Sequence, residues 1–197
     1  MKILKQFLAA ALLIISISAA RFINNTYILS NDYSVSISGT SNLHSWDEKV
    51  KTVSGEAIVN LNTDKSIDLT ALTIRIDVHS IQSDMGSVMN SNTYKALKAD
   101  INPKIIFTLS TPVKSIQSGV IEKTISVKGN LTVAGITKAV DMQAKVIMHN
   151  KQVIFQGIQS LNMTDYGVTP PTALFGTLKT GNTIIIHFTT TFLAKEN

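Results

Sequence analysis

The stretch TSNLHSW, residues 40–46, brings together residue types that serve very different chemistries. It holds His44 between Ser41 and Ser45, runs into Asp47 and Glu48, and contains the only tryptophan of the chain, Trp46. A serine nucleophile needs a histidine base, a carboxylate to orient that base, and donors for the developing oxyanion. No glycine turn surrounds these serines, and no Gly-x-Ser-x-Gly elbow occurs in the sequence. On a strand, His44 and Ser45 would point to opposite faces. A hydrolase built on His44 is therefore the weakest reading of this stretch.

Metal binding fares no better. The four histidines, His44, His79, His149 and His187, lie far apart, show no zinc-ligand spacing, and have no cysteine to assist them. Glycines fall singly or at turns, so no phosphate-cradling loop is visible. The expectation is no metal and no cofactor. What the chain has in excess is apolar surface, and the elements that carry it decide what it is for.

Those elements have a period of two. LTIRIDV alternates Leu72, Ile74, Ile76 and Val78 with polar partners. KIIFTLS does so with Ile105, Phe107 and Leu109, and ISVKGNLTV with Ile125, Val127, Leu131 and Val133. AVDMQAKVIM presents Val140, Met142, Ala144, Val146 and Met148, and TIIIHFTTTF presents Ile184, Ile186, Phe188 and Phe192. YSVSISG and EAIVNLN repeat the pattern with Val35, Ile37, Ala57, Val59 and Leu61. Alternation over this many segments means antiparallel strands with one dry and one wet face. Turn-rich stretches at 62–66, 118–123, 134–138, 149–152 and 179–182 separate the runs. The spacing predicts an all-β protein, an up-and-down antiparallel β-barrel of about eight strands, with a two-sheet sandwich as the alternative.

One segment breaks the period. SDMGSVMNSNTYKALKAD, residues 83–100, sets Met85, Val88, Met89, Tyr94 and Leu97 at helical spacing behind a capping Ser83 or Asp84. It predicts a short helix across one end of the barrel. NMTDYGVTPPTALFG adds Tyr166 and Phe175 in a loop stiffened by Pro170 and Pro171, with one helical turn at 172–175.

The first twenty residues read as a signal peptide. Lys2 and Lys5 precede an apolar run ending in small residues, and cleavage is expected between Ala20 and Arg21. A single membrane anchor is the alternative, but the run has no basic flank on its far side. Residues 21–197 then form one domain of 177 residues, in which 16 basic residues face 13 acidic ones, a net charge of +3. The basic residues are scattered, which argues against nucleic acid. Without cysteine there is neither a disulfide nor a lipid-bearing cysteine, so the expectation is a soluble periplasmic or secreted protein with no stable membrane anchor. A homodimer resting on strand edges or loops is compatible with the pattern.

Ile74, Ile76, Phe107, Leu109, Val127, Leu131, Val140, Met142, Phe155, Ile186 and Phe188 are expected to face the interior. An eight-stranded barrel either fills itself with side chains or holds one ligand, and periodicity does not separate the two. Four blocks of sequence bear on the choice. SISGTSNLHSWDEKVKTVSGEAIVNLN is the first, and DVHSIQSDMGSVMNSNTYKALKADINPKIIFTLS the second. VKGNLTVAGITKAVDM is the third and most specific, and LNMTDYGV the fourth. Together they resemble the YceI-like family, the polyisoprenoid-binding, lipocalin-like proteins of bacterial periplasms. Met163, ahead of Asp165, departs from the arginine of many relatives.

The resemblance implies a lipocalin-like barrel with no catalytic residues that buries a long isoprenoid chain. The interior residues above would then line an apolar tunnel, with His44, Trp46, Met85, Met89, Tyr94, Tyr166 and Phe175 at its mouth. An exported structural or adhesive β-domain with a filled core is the alternative.

Overall fold

Strand β12 (Leu178–Ala194) shows how the alternation becomes a wall. Ile184, Ile186, Phe188, Thr190 and Phe192 point inward, while Ile185 and His187 between them are exposed. The other strands are β1 (Asn25–Ser41), β2 (Ser45–Val50), β3 (Val53–Leu61), β4 (Ser66–Asp77), β5 (Ile81–Ser83), β6 (Lys104–Leu109), β7 (Val113–Gln117), β8 (Gly119–Val133), β9 (Ile136–His149), β10 (Gln152–Asn162) and β11 (Thr172–Ala173). Helix α1 (Ser87–Ala96) lies between β5 and β6. The computed structural model describes residues 25–195 except 118 and 150, so the expected signal peptide and its cleavage point lie outside the described residues.

Eight strands close the barrel. Strands β1, β3, β4, β6, β8, β9, β10 and β12 each pair antiparallel with the next, and β12 returns to β1 from Tyr27↔Ala194 to Ser41↔Thr180. Closure removes the exposed edges an open sheet of this size would carry. The all-β, lipocalin-like barrel with one short helix is thus the fold, and the sandwich alternative is set aside. Four short strands extend it: β2 and β5 continue beside β1, β7 pairs with β4, and β11 with β12.

Two expected turns are β-bulges instead. The stretch at 118–123 enters β8 at Gly119, and the ladder to β9 shifts register between Gly119 and Lys123. The stretch at 179–182 lies within β12, where the β1 ladder shifts between Gly39 and Ser41. Extra residues on one strand bend it without ending it.

The helix starts later than expected. Gly86, at φ 95°, is its N-cap, and Ser83 belongs to β5. The segment 172–175 forms the short β11 and then a 3-10 turn (Leu174–Gly176) in which Phe175 adopts φ 56°.

One half of the barrel is filled. Tyr27, Ala57, Val59, Ile67, Leu69, Ile116, Val146, Val153 and Phe192 form a buried cluster there, with Phe155 set edge-on to Phe192 at 5.7 Å between ring centres. Leu61, expected inward, is exposed because β3 ends at that residue, before the turn that leads into β4.

Candidate functional site

The other half of the barrel is hollow. A cavity of about 260 Å³ lies above the filled cluster, with Leu72 and Phe155 of that cluster in its floor. Its volume falls just under the ~300–1,000 Å³ typical of ligand pockets. Ile74, Ile76, Phe107, Val127, Leu131, Met142, Phe155, Ile186 and Phe188 all line it, as alternation predicts. Two expected interior residues lie elsewhere. Leu109 packs against the filled cluster, and Val140 packs beside Leu131 and Tyr166 at the wall. The cavity ends toward the filled cluster at Leu72 and Phe155.

Glycines hold it open. Three inward positions, Gly39, Gly129 and Gly157, lie under the rings of Trp46, Phe107 and Phe188, and a Cβ at any of them would come within 2.3–2.5 Å of ring carbon. Lacking a Cβ, these glycines leave room for the rings against the wall. Gly39 pairs directly with Trp46, and Gly157 with Phe188. Gly39→Ala should push the indole off the wall at a cost of about 1–3 kcal/mol. Because Trp46 is the only tryptophan, a shift in intrinsic emission together with a lowered melting temperature checks this. Unchanged emission would contradict it.

Helix α1 and the turn after β10 cover the hollow end. Met89, Asn92, Thr93, Ala96 and Leu97 reach the cavity from the helix side. A 3-10 turn, Met163–Tyr166, closes at Gly167 (φ 64°) and brings Met163, Tyr166 and Val168 to it from the other side. Of the seven residues expected at the mouth, Trp46, Met89 and Tyr166 line the cavity.

The other four do not. His44 is exposed in the turn before β2, where the Ser41 hydroxyl donates to the His44 carbonyl at 2.8 Å and accepts from the amides of Leu43 and His44. That hydroxyl is therefore engaged with the backbone of its own turn. Met85 precedes the helix and is exposed. Tyr94 turns behind the helix, donating to the carbonyls of His79 and Ile81. Phe175 is fully exposed on its turn. Among the described residues, no group of three or more potential metal ligands converges.

The cavity also has a buried acid that the sequence reading does not single out. Glu48 is 2 % exposed and lines the cavity. It shares the inward face of β2 with Trp46 and Val50, so the parity of SWDEKV already points it inward. Thr93 Oγ1 donates to its Oε1 at 2.5 Å. Burial pushes the Glu48 carboxyl above its ordinary value, and the Thr93 bond only partly opposes this.

A folded-state value above the unfolded one means the folded protein holds this proton more tightly. Stability is then lost as pH rises through the window between the two values. Glu48→Gln keeps an acceptor for Thr93 and removes the charge. It should melt higher than the parent at neutral pH, with the gap closing as pH falls below the usual carboxylate range. Melting curves across that range check this, and a gap that widens in acid would contradict it.

The wall has a weak seam. The β9–β10 ladder runs from Gln152↔His149 to Gly157↔Ala144 and stops. Beyond it, Lys138, Val140, Asp141 and Asp165 border a crevice. Gln159, Leu161, Asn162 and Tyr166 line both crevice and cavity, so one layer of side chains separates them.

A closed antiparallel barrel with an apolar pocket belongs, by architecture, to the lipocalin-like barrels. The family model of the YceI-like domain matches residues 28–192. The chain belongs to the YceI-like family. The fold is shared with a polyisoprenoid binding domain from Saccharophagus degradans implicated in plant cell wall breakdown (TM-score 0.69, 14 % identity, 87 % of this chain and 99 % of that one). It is also shared with BcnA of Burkholderia cenocepacia (TM-score 0.60, 18 % identity, 81 % and 95 %). A third is the Campylobacter jejuni YCEI protein (TM-score 0.59, 17 % identity, 76 % and 85 %). No curated protein sequence matches the chain.

Proposed function

We propose that this protein binds a long apolar lipid, a polyisoprenoid, in the hollow half of its barrel and carries it without chemical change. The observation that carries the reading is the cavity, walled almost entirely by apolar side chains and kept open by glycines beneath aromatic rings. The polyisoprenoid-binding domain of the same fold supports it. Each buried CH₂ contributes about 0.8 kcal/mol, so a five-carbon unit contributes roughly 4 kcal/mol. Two or three enclosed units offset an association cost of about 4–15 kcal/mol. The seam between β9 and β10 is where a longer chain would leave the pocket.

A ligand present at a hundredfold its Kd stabilises the folded state by about 2.7 kcal/mol. At ~2–4 °C per kcal/mol for a domain of this size, solanesol added to delipidated protein should raise the melting temperature by roughly 5–10 °C. No shift with any long isoprenoid would contradict the reading.

We also propose that the protein acts in the periplasm after removal of residues 1–20. The charged start at Lys2 and Lys5 and the apolar run behind it support this. N-terminal sequencing of protein from its natural host should begin at Arg21, whereas a retained Met1 in a membrane fraction would contradict it.

A further inference from the structure

Glu48, Asn92 and Thr93 reach the cavity on the helix side, and neutral side chains such as Gln159, Asn162 and Thr190 reach it from β10 and β12. Among the described residues Glu48 is the one charged group that lines the space, and no lysine, arginine or histidine does. Glu48 is held there from both edges, since β2 pairs Ile37 with Glu48 on one side and Glu48 with Ser83 on the other. A carboxyl offers about four acceptor positions. Thr93 fills one, and no second donor to this side chain is found among the described residues. The carboxyl therefore keeps acceptor positions that a donor inside the cavity could use.

We propose that Glu48 anchors the polar end of the lipid, and that this end is a neutral hydroxyl and not a phosphate. The inference rests on the reading of the cavity as an isoprenoid site. A hydroxyl suits either protonation state: it donates to the carboxylate and accepts from the carboxylic acid. A phosphate monoester carries about −1.5 to −2 charges at neutral pH. Beside Glu48 it would meet a like charge in an apolar space with no lining cation to compensate.

The competing role for Glu48 is purely structural, a tether that fixes α1 to the wall through Thr93. Ligand selectivity separates the two. Delipidated full-length protein is titrated with solanesol, solanesyl monophosphate and squalene, an isoprenoid hydrocarbon with no polar end, and quenching of Trp46 emission is followed. The parent protein should bind solanesol roughly tenfold or more tightly than either its phosphate or squalene, the worth of one charge-assisted hydrogen bond. Glu48→Leu should abolish the preference for solanesol over squalene. Glu48→Gln, which keeps a hydrogen-bonding group without charge, should retain that preference while narrowing the discrimination against phosphate.

The comparison of ligands on the parent protein needs no variant, so a misfolded Glu48→Leu would leave the test intact. Equal or tighter binding of the phosphate by the parent overturns the inference. So does a solanesol preference that survives in folded Glu48→Leu. Squalene binding with either of these results overturns the anchor alone, whereas a parent protein that binds none of the three overturns the carrier reading and the anchor with it.

Discussion

Replacing Phe192 with alanine should cost the barrel about 3–5 kcal/mol, the range for an aromatic removed from a filled core. Phe192 is fully buried at the centre of the closed half. Its ring meets Phe155 edge-on, and its Cζ lies 3.2 Å from where a Cβ would stand on Gly55. The buried cluster it belongs to draws on six other strands, β1, β3, β4, β7, β9 and β10. Denaturant unfolding measures the cost directly. A loss below about 1 kcal/mol would mean that the closed half is looser than its burial indicates.

Ala144→Phe should have the opposite profile. Ala144 lines the cavity, between Ile125 of β8 and Gly157 of β10, over which the Phe188 ring lies. A phenyl ring there has a lumen to enter. The variant should fold with a melting temperature close to the parent's, yet bind added isoprenoid at least a hundredfold more weakly. If the same change instead destabilises the protein by about 1–3 kcal/mol, the upper half is packed like the lower and the cavity is not ligand space. The pair of variants thus distinguishes the two halves: one loses stability and the other loses occupancy.

The division into halves is the part of this molecule that the sequence hid. The inward face of β12 runs Ile186, Phe188, Thr190 and Phe192 from the hollow half into the filled one, and the period of two is the same in both halves. What opens the upper half is the meeting of Gly39 with Trp46, Gly129 with Phe107 and Gly157 with Phe188. Those meetings depend on strand register, which closes over many residues and cannot be read locally. The barrel itself was legible, because alternation with punctuating turns repeats for every long strand.

Errors had local causes. Lys-Thr-Gly-Asn at 179–182 has the composition of a turn, but a bulge uses the same residues. Nearness to Trp46 in sequence puts His44 by the cavity, yet the Ser41 hydroxyl stabilises a turn that leaves its side chain in solvent. The inward placement of Glu48 is legible in SWDEKV. Between two buried neighbours of the same parity, Trp46 and Val50, a carboxylate on the dry face marks a place where something must satisfy it.

The reading of the hollow half as a lipid site is tested most directly on protein taken from its natural host. Organic extraction of the purified protein, followed by mass spectrometry, should release a long isoprenoid in an amount comparable to the protein, and Ala144→Phe prepared in parallel should release little. Extracts of the parent that contain no such lipid, from protein that also takes up none when it is offered, would contradict the account and leave a structural β-barrel in its place.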